Sequence, residues 1–303
     1  MNNRSWALLA AAGATTIYGL NHTVAKVVMP EYVGAFGFIF IRTAGATLLF
    51  WILSLFLPKE KIKVEDYFRM FLAALTGMCI NMLSFFKGLE LSTPVNSGIF
   101  ATTNPIIILL LSYLFLGEKI IKRKFFGIAM GFTGALILVL HSTEDTINAP
   151  NLLMGNVLLM INAIFFSGFI IVVKPLSEKY NVVTIMKWLF LIGFIMTFPV
   201  TVKEYSEVDW LKMPFDVIWR VSFVVLGTTF STYLLNVFAL RNLQASTVGA
   251  FAYAQPIIAI SYAICTENDS IDLLKGLACT IILIGVYLVS KKPINDGRNI
   301  SSR

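Results

Sequence analysis

A bilayer core about 30 Å thick takes about 20 apolar residues of helix to cross. Ten stretches of this chain have that length and character: 6–28, 34–57, 68–89, 95–116, 123–141, 152–173, 184–202, 217–239, 246–264 and 273–290. Inside lipid the backbone must satisfy its own hydrogen bonds, and a lone apolar run does so only as a helix. The sequence therefore predicts an all-α integral membrane protein with ten transmembrane helices. The connections are short, so no soluble domain is expected. The first stretch opens like a signal peptide, with Arg4 and then small residues from Ala7 to Ala14. Its apolar run continues to Val28, past the roughly 7–15 residues of a signal core, and it is read as a retained helix.

Charge supports this reading. Only 14% of residues are charged and 57% are hydrophobic, against about 25% charged in soluble domains. That is too little charge to coat a soluble core of 303 residues, which excludes a soluble enzyme, a nucleic-acid-binding module and a disordered scaffold. The net charge of +7 is explained by placement. With the amino terminus in the cytoplasm, seventeen of the 24 Lys and Arg residues fall on the cytoplasmic side, six fall outside, and Arg42 lies within a span. That is the positive-inside pattern. It predicts a multi-pass protein of the cell membrane with both termini cytoplasmic and no nucleic-acid partner. Cys79, Cys265 and Cys279 lie in or beside apolar runs with no CxxC spacing, so they read as packing residues.

The chain also repeats itself. An offset of 151 aligns the stretch beginning at Gly88 with the one beginning at Ala239, without a gap. Gly98 meets Gly249, Phe100 meets Phe251, Pro105-Ile106-Ile107 meets Pro256-Ile257-Ile258, and Gly134 meets Gly285. Ten of 53 aligned positions, 86–138, are identical, and the Gly and Pro punctuation stays in phase. Five spans per repeat is an odd number, so the second repeat must enter the membrane from the opposite side. The expected halves are 1–145 and 146–303, each a five-helix repeat, the second inverted. Inverted repeats are characteristic of secondary transporters, because exchanging the conformations of the halves turns an outward-open cavity inward.

The stretch from Gly88 to Lys119 resembles the signature of the EamA-type drug/metabolite transporter superfamily. Its marks are a helix ending in Gly-Leu, the small-residue turn Ser92-Thr93-Pro94, a mid-helix proline, and LFLGE at 114–118. The second half shows it less cleanly, with Ile264-Cys265-Thr266-Glu267-Asn268 in place of LFLGE. Arg42, early in the second span, also fits. The resemblance covers essentially the whole chain. It implies two inverted five-helix bundles around a cavity walled by helices 1, 3, 4, 6, 8 and 9, carrying amino acids, other metabolites, nucleosides or drugs, often as export.

Candidate site residues follow from the residues themselves. Pro105 and Pro256 each leave a carbonyl, of Ala101 and Ala252, without its helical partner. Such a break is tolerated in a membrane where neighbours or cavity water complete the bonding. Each proline follows an amide, Asn104 and Gln255, and this pair is taken as the centre of a substrate site. Tyr18, His22 and Lys26, four apart, share a face of the first span, with Asn21 beside them. His22 is the candidate for proton coupling or for pairing with a substrate carboxylate. Asn81 and Phe85 on the third span, Asn162 and Phe166 on the sixth, Tyr233 and Asn236 on the eighth, and Phe100 and Phe251 beside the breaks complete the set. Amides, hydroxyls and aromatic faces suit a zwitterionic or neutral polar metabolite with an apolar part. Arg42 is expected near the outer interface, bonded to backbone or lipid phosphate, with a substrate carboxylate as the alternative. Glu118 reads as a structural anchor or gate element, and Lys87 with Glu90 as an interfacial ion pair. Gly127 and Gly131 form a GxxxG surface, read as packing against the tenth span, with a dimer face as the alternative.

The functional expectation is a secondary transporter of a small organic, amino-acid-like solute, exporting it by alternating access. Its expected partners are that solute and the bilayer, as a monomer or weak homodimer. A channel or lipid scramblase is the alternative. A membrane-embedded enzyme is less favoured: no GxSxG, HExxH or nucleotide loop is found, and His22 and His141 are the only histidines. No catalytic residue, metal or cofactor is expected.

Overall fold

The computed structural model describes residues 3–26, 28–29, 31–140, 150–265 and 273–291, with backbone alone at 22, 23, 25, 26, 94, 95, 259, 260, 263 and 264. No strand occurs among them. Ten helical segments follow one another: α1 (Asn3–Lys26), α2 (Ala35–Ser54), α3 (Val64–Leu91), α4 (Pro94–Leu116), α5 (Lys122–Leu140), α6 (Leu152–Lys179), α7 (Val182–Ser206), α8 (Phe215–Asn242), α9 (245–265) and α10 (Leu273–Ser290). Among the described residues eight of them, α2 to α8 and α10, are long and apolar enough to cross a membrane.

Local chemistry sets the boundaries. The Thr93 hydroxyl accepts from the Asn96 amide at 3.1 Å, with Pro94 in the first turn, and so opens α4. Gly117, at φ +66°, closes it in the left-handed conformation that glycine adopts without strain. Asn151 caps α6 through the Met154 amide at 3.1 Å, and Asn181 caps α7 through Val183 at 3.0 Å.

Two helices carry wide turns. α3 is π-helical over Leu75–Ile80 and α8 over Val224–Ser231, and the offset of 151 lays 75–80 on 226–231. Carbonyls loosened by the π geometry are taken up by hydroxyls five residues on: Thr229 donates to Val224 at 2.8 Å and Ser231 to Leu226 at 2.7 Å. α9, expected as one helix over 246–264, is instead divided. Ala245–Ala250 and Gln255–Cys265 flank a 3-10 turn at Phe251–Ala254. Pro256 brings no N–H to the Ala252 carbonyl, and the backbone tightens there. At Pro105 the helix runs on unbroken.

The principal packings all join the first half of the chain to the second. α2 lies on α7, α5 on α10, α6 on α3 and α4, and α1 on α8 and α9. The α2–α7 seam is aromatic, with Phe50 stacked on Phe190 at 5.4 Å and Trp51 edge-on to Trp188 at 5.6 Å between centroids. The α5–α10 seam is backbone on backbone. A Cβ at Gly127 would lie 2.8 Å from the Gly285 carbonyl, and one at Gly285 would lie 2.6 Å from the Gly127 carbonyl. The GxxxG surface is thus turned to α10 within the chain. Outward faces are apolar: Phe115 is 72% and Leu283 58% exposed, as lipid-facing side chains are.

Candidate functional site

At the centre of the bundle lies a cavity of about 110 Å³, walled by α1, α3, α4, α6, α8 and α9, with Arg42 reaching in from α2. Eight of the residues singled out from sequence line it together: Tyr18, Asn81, Phe85, Asn104, Asn162, Phe166, Tyr233 and Gln255. Cross-helix hydrogen bonds hold them. The Asn162 side chain of α6 donates to the Asn81 carbonyl, just after the π turn of α3, at 3.1 Å. Asn21 of α1 accepts from Thr228, inside the π turn of α8, at 2.8 Å. Tyr233 of α8 donates to the Gly77 carbonyl in the π turn of α3 at 3.3 Å. The π turn of α3 thus presents a backbone carbonyl and that of α8 a hydroxyl, and the opposite half of the chain bonds to each.

Three candidates stand elsewhere among the described residues. The Asn236 side chain is within hydrogen-bonding reach of the Tyr18 hydroxyl, so it positions a cavity residue without lining the cavity. Phe251 begins the 3-10 turn and packs against the larger apolar core. Phe100 is half-buried and does not line the cavity, although it lies one turn, about 6 Å, from Asn104 along α4. The His22 side chain lies outside the described residues, as do Lys26 and His141.

Arg42 corrects an expectation. It is 5% exposed, lines the central cavity, donates through Nε to the Thr229 hydroxyl at 2.8 Å, and lies 4.8 Å over the Phe86 ring. It bonds a side chain inside the bundle in place of backbone or lipid phosphate. No acidic side chain lines this cavity among the described residues. Asn21, Thr228, Met82 and Phe86 also line it and were not singled out as site residues. Thr228 and Tyr233 are five apart, a spacing that shares a face only across a π turn, so helical periodicity misses it. Asn21, adjoining the Tyr18–His22 face, carried a readable signal.

A second cavity, of about 460 Å³, opens at one end of the bundle, with Arg4, Glu118, Lys174, Glu178, Arg241 and Lys291 among its lining. Lys174 donates to the Leu240 carbonyl and pairs with Glu178, both at 2.6 Å. Glu118 is buried here: it accepts from the Ala245 amide and the Ser246 hydroxyl at the start of α9, and from Lys124 at 3.2 Å. The turn before α4 is tied to α6 by neutral groups, Ser92 and Asn96 both bonding Asn156. Among the described residues no cluster of His, Cys, Asp and Glu could hold a metal ion.

Many apolar helices around a buried polar cavity define a multi-pass membrane protein. The comparisons give its class: the EamA-like transporter family model matches twice, over residues 5–140 and 153–291. The chain belongs to the EamA-like transporter family, within the drug/metabolite transporter superfamily. It is 26% identical to an uncharacterized transporter of Methanothermobacter thermautotrophicus, over 94% of this chain and 86% of that one. It is likewise 26% identical to the uncharacterized transporter YetK of Bacillus subtilis, over 94% and 88% of the two chains. One solved structure, described as "Crystal structure of protein", superposes with a TM-score of 0.76 at 14% identity, covering 94% of this chain and 96% of that one; this likeness concerns the fold.

Proposed function

We propose that the protein is a secondary transporter that moves a small organic, amino-acid-like solute through the central cavity by alternating access, in the direction of export. The observation that carries this reading is the cavity itself: polar and aromatic side chains from both halves converge at the bundle centre, in a chain of a transporter family. In this reading all ten helices cross the cell membrane, as two five-helix repeats, 1–145 and 146–303, of opposite orientation. The family model's two matches, the π turns related by the offset of 151, and the pairing of α3–α6 with α8–α1 and α4–α6 with α9–α1 support it. Both termini lie in the cytoplasm, and the 460 Å³ opening, which includes Arg4 and Lys291, faces it. Tyr18, Asn81, Phe85, Asn104, Asn162, Phe166, Tyr233 and Gln255 form the substrate site.

The test blocks that site. Gln255→Trp, purified and reconstituted in proteoliposomes, is expected to lose saturable counterflow while keeping the elution profile and melting temperature of the unmodified protein. Full counterflow in this variant overturns the site.

A further inference from the structure

We propose that the central cavity is built for a small carboxylate that also carries a hydrogen-bond donor, the chemistry of a 2-amino or 2-hydroxy acid. Arg42 holds the carboxylate and the Asn104 side-chain oxygen takes the donor. This rests on the transporter reading above and names its substrate class.

The first argument is an unanswered charge. A guanidinium stays protonated in proteins and has five N–H groups to satisfy. Arg42 is buried, its Nε is held by Thr229 at 2.8 Å, and its plane lies over Phe86. Its two terminal nitrogens have no hydrogen-bond partner among the described residues, and the side chain lines the cavity. A buried cation without a counter-ion is unfavourable, and here no acidic side chain among the described residues lines the space it faces. With Nε fixed on Thr229, the guanidinium edge left open is the pair of terminal nitrogens. That edge matches the two oxygens of a carboxylate.

The second argument is independent of charge. Asn104 is 9% exposed, lines the same cavity, and its Oδ1 has no hydrogen-bond partner among the described residues. Its backbone carbonyl, by contrast, accepts from Ser167 at 3.4 Å. Buried acceptors are almost always satisfied, so an unpartnered one on a residue of the cavity wall is where a ligand's N–H or O–H would find a partner. Size narrows the class further. A cavity needs about 10–15 Å³ to hold one water, so about 110 Å³ admits on the order of ten non-hydrogen atoms in this conformation. Phe85 and Phe166 make part of the same wall apolar, which suits a short apolar remainder. A polyamine or quaternary ammonium drug would meet Arg42 as a like charge, and a sugar would leave it unanswered.

The experiment compares acids with their own carboxamides. Purified full-length protein in detergent is titrated with lactate, lactamide, propionate, alanine, serine and valine, and binding is read as the concentration dependence of the melting temperature. The expected result is that lactate or an amino acid stabilises the protein, and that lactate binds about tenfold or more tighter than lactamide, the scale of a charge-assisted hydrogen bond. Arg42→Gln should remove that preference, Arg42→Lys should keep it, and Asn104→Leu should weaken lactate towards propionate. Where Arg42→Gln does not elute as a single species, the acid–amide comparison and Arg42→Lys decide. Failure of every acid to bind, lactamide binding as tightly as lactate, or a preference that survives Arg42→Gln overturns the proposal. Saturable counterflow of a neutral or cationic solute alongside any of those results leaves the transporter reading standing. Absence of counterflow with every solute tested goes against that reading itself.

Discussion

Glu118 shows how much one residue organises. It follows the left-handed Gly117 that ends α4, and its carboxylate satisfies the first amide of α9, Ser246 and the buried ammonium of Lys124 at once. A carboxylate is also favoured at a helix N-terminus, where unpaired N–H groups and the helix dipole point at it. Removing one partner of a buried pair leaves the other uncompensated, at about 3–5 kcal/mol. Glu118→Gln should therefore lower the melting temperature of the purified protein markedly, and Glu118→Gln combined with Lys124→Met should recover most of the loss. An unchanged melting temperature in the single variant would show that the pair is not buried in the membrane. The sequence exposed Glu118 through its LFLGE context. It did not expose the burial of Arg42, which reads in sequence as bonded to backbone or lipid phosphate and instead bonds Thr229. Burial depends on how a helix sits among its neighbours, and only the Thr229 and Phe86 contacts across α8 and α3 reveal it.

Among the elements, eight of the ten apolar runs meet helices long and apolar enough to cross a membrane among the described residues, and the α5–α10 seam was visible as glycines. Gly127 and Gly285 each sit so close to the other's carbonyl that a side chain forces the helices apart. Gly127→Val should destabilise the fold by about 1–3 kcal/mol, the usual cost of overpacking, and lower the melting temperature in detergent without altering oligomeric size. A change in oligomeric size with an unaltered melting temperature would assign the GxxxG surface to a dimer instead. The π turns of α3 and α8 were not visible. Periodicity counts 3.6 residues per turn, and an inserted residue shifts the face on which everything beyond it lies. That is why Thr228 escaped notice and Asn236 was placed in the cavity wall. The division of α9 has the same character: Pro105 and Pro256 look alike in sequence, yet only the second interrupts its helix.

At the scale of the whole molecule, the two halves depend on each other. Every principal seam crosses between them, so neither half has a complete core, and the cavity exists only where they meet. Two ends differ in chemistry: a buried ionic cluster joins α4, α5 and α9 at one, and neutral amides and hydroxyls join α3, α4 and α6 at the other. In the proposed mechanism, rocking one half against the other exchanges which end is closed, with the central residues open to each side in turn. The most direct test places Gln255→Cys in a background lacking Cys79, Cys265 and Cys279, and labels it with a membrane-impermeant maleimide in sealed right-side-out and inside-out vesicles. Alternating access predicts labelling from both sides, slowed from both by a bound solute. Labelling confined to one side, or none from either, would contradict it.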